Sequence, residues 1–409
     1  MNQNELYWIW LQAAVGQGTA IVSRLFNAFS SAEEIYGATD EDYAYIGLPK
    51  RIRDALCDKS LKRAQKHAER ALRGGGWLLT PDSPDYPEPF RHLYSPPLVL
   101  YGKGKLPSFE RLPVIGIVGT RECSDYGKKA AGSIAAGLAA VGCPIISGGA
   151  RGVDRAAHEG TLYAGGITVA VQSCGLDVEY PAPNRRLRRD ILEAGGALIS
   201  EYPPGTLTTP ATFQVRNRLI SGLSWGVCVV EAPQPSGSLI TARLARDQGK
   251  DVFAVPGEIT SPLSRGSNAL LRDGAIMVLS PADILCEYQT RCGNILNEEE
   301  AIKAQQAYYD YFDKVVVPVK ATSSKKEKAV KKEPALTTDV VVTDQPLAAL
   351  PVGVSEACQR IYAALSETPV SAEWLFEATG ASLGEIFSVL TELEIYGCIR
   401  SHPGQHYSR

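Results

Sequence analysis

The stretch Ser147-Gly148-Gly149-Ala150-Arg151-Gly152-Val153-Asp154 predicts both the fold of this chain and the position of its site. It follows an apolar run at 144–146 that is typical of a buried strand, and it precedes a helical pattern over 155–162. Glycines between a strand and a helix let the backbone approach a ligand, and the amides of a helix start attract anions. The stretch is therefore either a phosphate-binding loop or a tight turn whose glycines serve packing.

The surrounding chain alternates apolar runs with helix-compatible segments from residue 111 to residue 290. The apolar runs are 114–118, 145–146, 168–171, 197–200, 227–230 and 252–255. Continuous apolar strands that alternate with helices are typical of a parallel sheet covered on both faces. The sequence therefore predicts an α/β core, and ligands of such sheets bind beyond the carboxyl ends of the strands.

The residues that follow the predicted strands are small or polar. They are Gly119-Thr120-Arg121, Ser147-Gly148-Gly149-Ala150, Ser173-Cys174-Gly175, Glu201-Tyr202, Glu231-Ala232 and Pro256-Gly257. Because the carboxyl ends of parallel strands meet at one edge, we expect a single shared crevice. The guanidinium of Arg121 suits bidentate contact with phosphate there, and the alternative is an ion pair with Glu122 or Asp125.

A second group of candidate ligands lies on a predicted helix that opens near Phe213. Positions i, i+3 and i+4 share a helix face, so Phe213, Arg216 and Asn217 line up while Arg218 points elsewhere. A ring that stacks on a base beside a guanidinium that meets phosphate suits a nucleotide. The alternative is a core phenylalanine and an arginine that pairs with an acid such as Glu201. Because the glycine loop and Arg121 are expected at the same crevice, we favour the nucleotide interpretation.

Two further stretches add hydrogen-bond donors or charge. The segment 235–242 is a small-residue loop that opens a helix, and its Ser236, Gly237 and Ser238 supply amides and hydroxyls. The run Arg185-Arg186-Leu187-Arg188-Arg189 is the densest basic segment of the core. It either follows a nucleic-acid backbone by charge or forms a solvated helix face.

Groups suited to catalysis are scarce. His158 is the histidine near the predicted crevice, and Asp154 and Glu231 both have ready structural roles. No Ser/His/Asp set and no paired carboxylates are visible. The nine cysteines are scattered without a C-x-x-C pair, which argues against a zinc site and against a disulfide framework. We therefore expect a crevice that binds rather than reacts, with no cofactor and no metal.

Length and charge limit the remaining possibilities. A chain of 409 residues predicts two or three domains, and a net charge of −3 confines any nucleic-acid surface to a local patch. The first residues do not resemble a signal peptide, and no apolar run is long enough to cross a bilayer. Together with the cysteine usage, these features lead us to expect a cytoplasmic protein without membrane contact.

The segments before the core predict a helical module and a connector. Residues 1–75 read as short helix pairs joined by glycine turns, similar to SAM or helix-hairpin-helix modules. Such modules contact DNA through turn amides or serve packing, and packing is favoured because the turn Gly16-Gln17-Gly18 has no adjacent basic residue. Residues 76–110 are rich in Pro and Asp and predict an irregular connector that ends in an edge strand at 97–101.

The segments after the core predict a tether and a small domain. Residues 291–350 include a lysine-rich stretch and predict a flexible linker. Residues 351–409 predict three helices and a hairpin, which is a winged helix. Its recognition helix, 382–388, carries no Lys or Arg, so contact with a protein is favoured over DNA reading.

An ordered series of motifs over roughly residues 80–290 resembles the bacterial DNA-processing protein DprA (Smf) family. The motifs are Gly119-Thr120-Arg121, Ser124-x-Tyr126-Gly127, 147–154 with Ala157-His158, Gly175-Leu176-Asp177, Tyr180-Pro181, 200–203, Phe213-x-x-Arg216-Asn217-Arg218, 236–242 and 253–257. The flanking modules match the layout of that family. Gln214 departs from it, because a proline usually stands there, and we expect a looser helix start as a result.

The resemblance implies a Rossmann-like, doubly wound, mostly parallel core that binds single-stranded DNA and is not an enzyme. It also implies protection of incoming strands, loading of the RecA recombinase during natural transformation, and tail-to-tail dimerisation. Carried over by position, the DNA pocket uses Arg121, the 147–150 loop, Phe213, Arg216 and Asn217, and the dimer surface uses Asn268, Leu271 and Met277. Rossmann-like nucleotide phosphoribohydrolases are the competing class. Their Pro-Gly-Gly-x-Gly-Thr-x-x-Glu loop corresponds here to 235–241, where no glutamate follows.

Overall fold

The computed structural model describes two parts of the chain. The first comprises residues 2–293 and 297–315, and the second comprises 355–366, 368, 370–381, 386, 389, 390, 393, 398–402 and 406–409. They belong to two units, Met1–Lys320 and Ala321–Arg409. Both the helical N-terminal module and the α/β core therefore lie in one unit.

A sheet of nine strands runs through the described residues of the first unit. The strands are β1 Gly76–Leu79, β2 Leu100–Gly104, β3 Ile115–Val118, β4 Ile145–Ser147, β5 Thr168–Gln172, β6 Ala197–Ser200, β7 Gly226–Val229, β8 Asp251–Ala254 and β9 Ile276–Met277. Their order is β1-β2-β6-β5-β4-β3-β7-β8-β9. The strands from β3 onward pair in parallel, whereas β1 and β2 pair antiparallel with each other and β2 pairs antiparallel with β6.

This topology confirms the predicted doubly wound, mostly parallel sheet. Every residue of β3, β4, β5, β6 and β7 is buried, as expected for strands covered on both faces. The chain leaves β3 toward β4 on one side and resumes beside β3 with β7 on the other. The crevice beyond the carboxyl ends of these three strands is the usual ligand position in such a sheet.

The N-terminal module is helical. Its helices are α1 Gln3–Val15, α2 Ile21–Ala28, α3 Ala32–Gly37, α4 Asp40–Tyr45, α5 Lys50–Cys57 and α6 Lys62–Leu72. Asn2, Ser31 and Thr39 cap three of these helices by accepting amides of the first turn. The apolar core of the module also contains Leu98, Val99 and Tyr101, which belong to the predicted connector.

The connector is more regular than we expected. The strand predicted at 97–101 overlaps β2 only at its last two residues, and β2 lies between β1 and β6 rather than at the edge of the sheet. The edge position belongs to β1, whose Gly76–Leu79 segment pairs with Leu100–Lys103. The segment 76–104 therefore extends the sheet of the core while its apolar residues complete the helical module.

Helices cover both faces of the sheet. They are α7 Glu88–Arg91, α8 Asp125–Ala140, α9 Val153–Tyr163, α10 Arg185–Glu193, α11 Pro210–Leu223, α12 Gly237–Asp247, α13 Arg265–Arg272, α14 Pro281–Cys292 and α15 Glu298–Val315. Small residues allow the closest helix contacts, because a Cβ on Gly160 of α9 would lie 2.1 Å from the carbonyl oxygen of Gly132 in α8. The rich alanine and glycine content of α8 thus has a packing function.

Helix α15 corrects the prediction of a flexible linker over 291–350. Ala304 and Tyr311 of this helix are buried, and Tyr311 packs on Gly132 of α8. Apolar residues at 304, 308 and 311 follow helix spacing, but the lysine-rich composition further along the chain obscured this signal. The remaining part of the predicted linker, 316–350, lies outside the described residues.

The second unit contains two described helices and a small sheet. The helices are α16 Glu356–Ala364 and α17 Ala372–Thr379, and the strands are β10 Val370–Ser371, β11 Arg400–His402 and β12 His406–Ser408, in the order β10-β12-β11. Ile361, Leu365 and Leu375 belong to its apolar core. The third predicted helix and the predicted recognition segment 382–388 lie largely outside the described residues.

Candidate nucleic-acid interface

A polar crevice of about 420 Å³ opens beyond the carboxyl ends of β3, β4 and β7. Ten predicted site residues line it: Gly119, Thr120, Arg121, Ala150, Phe213, Arg216, Asn217, Ser236, Gly237 and Ser238. The structure therefore brings together segments that lie more than a hundred residues apart in the sequence. The lining also includes Arg151 and Asp154. Sequence reasoning left Arg151 without a role, although it stands in the glycine loop.

Three predicted residues of the glycine loop lie behind this crevice rather than on its surface. Ser147 is fully buried, and its hydroxyl donates to the carbonyl oxygen of Ile117 at 2.6 Å. A Cβ on Gly148 would lie 1.5 Å from Nη1 of Arg216, and a Cβ on Gly149 would lie 2.5 Å from Nε2 of Gln172. Gly148 and Gly149 thus make room for other side chains, and the phosphate contacts of Ser147, Gly148 and Gly149 stay predictions.

Arg121 lies over the ring of Phe213, with its guanidinium carbon 4.2 Å from the ring centroid. Asp125, one of the predicted alternative partners, pairs with Lys128 instead. The ring of Phe213 also lies 5.8 Å from that of Tyr180. This arrangement leaves a cation and an aromatic ring together at the mouth of the crevice, which is the combination that binds unpaired nucleotides.

Arg216 is the most distinctive group of the crevice. Its side chain is 5 % exposed, and its Nε and Nη1 have no hydrogen-bond partner among the described residues. Burial lowers the pKa of Arg216, and the nearby Arg121 lowers it further, whereas Asp154 acts in the opposite direction. A buried cation with unpaired donors is costly unless an anion compensates it. The lining carries three arginines, Arg121, Arg151 and Arg216, and two carboxylates, Glu122 and Asp154, so a positive formal charge favours a negatively charged ligand.

Asp154 supports the loop. It is 6 % exposed, and its carboxylate accepts the amide of Ala150 at 3.3 Å. Burial raises the pKa of Asp154, while Arg216 and the Ala150 amide oppose this rise. Asn184, which the sequence did not point to, fixes the same loop by donating to the carbonyl oxygens of Gly149 and Ala150 at 2.9 Å.

The start of α12 forms the opposite wall. Ser236 caps this helix by accepting the amide of Ser238 at 3.3 Å, and the two hydroxyls lie 2.7 Å apart. Asn217 donates to the carbonyl oxygen of Gly237 at 3.2 Å and so ties α11 to this wall. A helix start that faces a cationic crevice adds favourable partial charge for an anion.

Helix α11 begins earlier than expected. Thr209 caps it and Pro210 occupies its first position, so Gln214 lies inside the helix. The expectation of a looser start at Gln214 is therefore wrong, because another proline already sets the backbone angle where the helix begins.

Other charged residues of the core are engaged elsewhere. His158 is fully buried and its Nδ1 lies 2.7 Å from Oγ1 of Thr168, and burial lowers its pKa to about 3. Glu231 accepts the amide and hydroxyl of Ser124 at 2.9 and 2.6 Å. Arg218 points away from the crevice and pairs with Glu201. These contacts favour structural roles for all three groups.

The arginine run on α10 is largely neutralised. Three of its guanidinium groups lie near carboxylates, in the pairs Arg185–Glu179, Arg186–Asp190 and Arg189–Glu193 at 3.0, 3.6 and 3.9 Å. The fourth, Arg188, donates to two backbone carbonyl oxygens. The solvated-face interpretation is therefore favoured over a track for a nucleic-acid backbone.

The predicted dimer residues lie near the end of the sheet. Met277 of β9 is 52 % exposed, and Leu271 of α13 is partly buried. Asn268 is occupied within the chain, because its amide donates to the carbonyl oxygen of Gly257 and its side-chain oxygen accepts the Gly257 amide. No helix in the described part of the chain is both long and apolar enough to span a membrane.

The fold and the crevice define a Rossmann-like protein with an arginine-lined crevice at the switch point of its sheet. Residues 77–289 match the family described as DNA recombination-mediator protein A, and residues 345–405 match the DprA winged helix domain. The chain therefore belongs to the DNA recombination-mediator protein A (DprA, Smf) family, and its C-terminal unit carries the predicted winged helix.

Individual relatives agree with this assignment. The chain is 31% identical to Protein Smf of Synechocystis over 417 residues, which covers 100% of this chain and 99% of that protein. It is 42% identical to DNA processing protein DprA of Streptococcus pneumoniae over 204 residues, covering 50% and 71% of the two chains. The crystal structure of the Streptococcus pneumoniae protein matches with a TM-score of 0.61 at 32% identity, covering 70% of this chain and 99% of that one.

Proposed function

We propose that this protein is a recombination mediator that binds single-stranded DNA in the crevice, protects the strand and loads the RecA recombinase onto it during natural transformation. The observation that carries the proposal is the pair of arginines at the crevice: Arg121 is exposed and lies over the ring of Phe213, and the buried Arg216 lines the crevice beside it. A backbone phosphate supplies acceptor oxygens to the exposed guanidinium of Arg121 and adds negative charge beside Arg216. Phe213 supplies a ring on which an unpaired base stacks.

We further propose that the crevice binds DNA without reacting with it. Its buried carboxylate, Asp154, holds the Ala150 amide, and the nearby His158 is buried behind the loop. The competing function is nucleotide phosphoribohydrolysis. That reading predicts release of free base when the protein is incubated with AMP, and such a release would replace the binding proposal.

Homodimerisation is part of the proposal and rests on the end of the sheet. Met277 and the neighbouring Leu279 expose 52% and 63% of their surface there. Exposed apolar side chains beside an edge strand favour contact with a second copy. Since dimerisation would place two crevices in one particle, it would also increase the length of strand that a particle holds.

The test is a comparison of DNA binding by Arg121→Ala and by wild type. The substitution removes one charge-assisted phosphate contact, and we expect about a tenfold weaker affinity for a single-stranded oligonucleotide. The slope of log affinity against log salt concentration should fall by about 0.7, the value for one phosphate contact on a single strand. Fluorescence anisotropy over a range of salt concentrations measures both quantities.

Arg186→Ala is the matched control, since it removes one arginine from an exposed position on α10. It should leave affinity and slope close to those of wild type. Equal weakening by both substitutions would indicate diffuse charge attraction and would overturn the assignment of the crevice. RecA loading is tested separately, by the rate of RecA filament formation on the strand with and without this protein.

A further inference from the structure

A buried ion pair lies on the side of α11 that faces away from the crevice. Nη2 of Arg218 donates to both carboxylate oxygens of Glu201, at 2.6 and 2.5 Å. The two side chains are 11% and 2% exposed. Burial raises the pKa of Glu201, while Arg218 opposes the rise, so the pair is a desolvated one that depends on close contact. Such pairs contribute little to stability relative to apolar packing, but they do fix geometry.

The N-terminal module meets this ion pair at its first glycine turn. The Gly18 backbone amide faces Glu201 and opposes the rise that burial causes in the pKa of that carboxyl. A Cβ on Gly18 would lie 2.9 Å from Cγ1 of Val215 and 3.2 Å from Nε of Arg218, both on α11. The turn therefore lies directly against the helix, at a distance that only glycine permits.

The same helix carries the DNA-binding face. Phe213, Arg216 and Asn217 project from α11 into the crevice, whereas Val215 and Arg218 project toward the N-terminal turn. Arg216 has little room to adjust, because its Nη1 occupies the space that a side chain on Gly148 would take. A small rotation or shift of α11 would thus displace Arg216 from its place at the crevice.

We propose that Glu201, Arg218 and Gly18 are positioning residues, through which the N-terminal module holds α11 in the orientation that binds DNA. This inference rests on the proposed function. The N-terminal module would then affect the affinity of the crevice for DNA without lining the crevice. The packing of the Gly16–Gly18 turn against the core would serve this role.

Two glycines of one turn provide the test. Gly18→Ala pushes a methyl group against Val215, whereas Gly16→Ala meets no atom within 4 Å. Both glycines have positive φ, at +84° for Gly16 and +64° for Gly18, and Gly16 combines its φ with a ψ of −176°, a region that is nearly exclusive to glycine. Alanine at Gly16 is therefore at least as strained, so it controls for damage to the module itself.

The measurement separates affinity from folding. Titration at high protein concentration gives the fraction of molecules able to bind a single-stranded oligonucleotide, and titration at low concentration gives the Kd of that fraction. We expect Gly18→Ala to raise this Kd about tenfold, as for the loss of one charge-assisted contact, and Gly16→Ala to leave it unchanged. A purely structural role would lower the active fraction and leave the Kd as in wild type.

A second variant keeps the test decisive if Gly18→Ala does not fold. Glu201→Gln preserves the shape of the side chain and removes the charge that holds Arg218, so it should raise the Kd of the active fraction in the same way. An unchanged Kd in both variants, while Arg121→Ala still weakens binding, would overturn the positioning inference alone. Absence of binding by wild type would instead overturn the proposed function.

Discussion

Replacing Gly148 by alanine tests whether the proposed DNA site depends on the position of the Arg216 guanidinium. A methyl carbon at residue 148 would lie 1.5 Å from Nη1 of Arg216 and 2.5 Å from Oδ2 of Asp154. An ordinary contact between such atoms is about 3.5 Å, so the guanidinium must retreat by about 2 Å. That distance is larger than the tolerance of a hydrogen bond, so the proposed contact of Arg216 with a phosphate should be lost.

The expected effect follows from the kind of contact that is lost. A hydrogen bond to a charged group contributes about 1.5–3 kcal/mol, which corresponds to a tenfold to roughly hundredfold weaker affinity. Overpacking also lowers the free energy of unfolding by about 1–3 kcal/mol, so the Kd must be measured on the folded fraction. Gly37→Ala is the control for the loss of a glycine, since its new Cβ meets nothing within 4 Å.

A double-mutant cycle gives the clearest result. In an Arg216→Ala background only the clash of the added methyl group with Asp154 remains, so Gly148→Ala should weaken the affinity less than it does in wild type. Anisotropy with a single-stranded oligonucleotide measures all four proteins. If Gly148→Ala weakens binding equally in both backgrounds, its effect does not pass through Arg216, and the reasoning about the loop is wrong.

Three further predictions concern stability, protonation and assembly. Tyr311→Ala empties the space above Gly132, so it should lower the free energy of unfolding by about 3–5 kcal/mol in a urea titration. Phe312→Ala changes a more exposed position of the same helix and should lower the free energy of unfolding by less than about 1 kcal/mol. The ring of His158 should stay neutral between pH 7.5 and 5 in NMR spectra, because burial lowers its pKa to about 3. Since the unfolded chain binds this proton near pH 6.5, the group should reduce stability by up to about 1.4 kcal/mol per pH unit below that value, and a ring that titrates near pH 6.5 in the folded protein would contradict this. Met277→Asp should convert a dimer to a monomer in sedimentation experiments, and an unchanged mass would exclude the end of the sheet as the interface.

The parts of the fold that were predictable are those in which burial determines composition. Strands covered on both faces must be continuous apolar runs, so the order of strands and helices in the core was visible in the sequence. The crevice followed from the rule that ligands bind at the carboxyl ends of parallel strands. Helix spacing then placed Phe213, Arg216 and Asn217 on one face, and the structure brings all three to the crevice.

The role of the glycine loop was not predictable in the same way. The sequence alone does not distinguish a glycine that makes room for a ligand from a glycine that makes room for another side chain. Gly148 and Gly149 belong to the second kind, because Arg216 and Gln172 occupy the space beside them. Since those two residues lie far from the loop in the sequence, the spacing of the glycines carries no sign of them.

Helix α15 was missed for a different reason. Its apolar positions Ala304, Tyr308 and Tyr311 have helix spacing, but they pack on a face of α8 whose small residues also pack on α9. A window that includes the following lysine-rich stretch has the composition of a linker. Composition averaged over such a window therefore placed the first residue of the predicted linker too early in the chain.

Two apolar clusters of the first unit meet at β2. Leu100 of this strand belongs to the core of the α/β sheet, whereas the adjacent Tyr101, together with Leu98 and Val99, belongs to the core of the N-terminal helices. The successive side chains Leu100 and Tyr101 of this strand thus pack into two different apolar cores, since successive side chains point to opposite faces of a sheet. A cut near residue 75 would leave the helices without these three side chains, so an excised fragment should not fold, and the two halves of the unit should unfold in one cooperative transition rather than two. Exchange of the helical module between homologues would have to carry the β1–β2 hairpin with it.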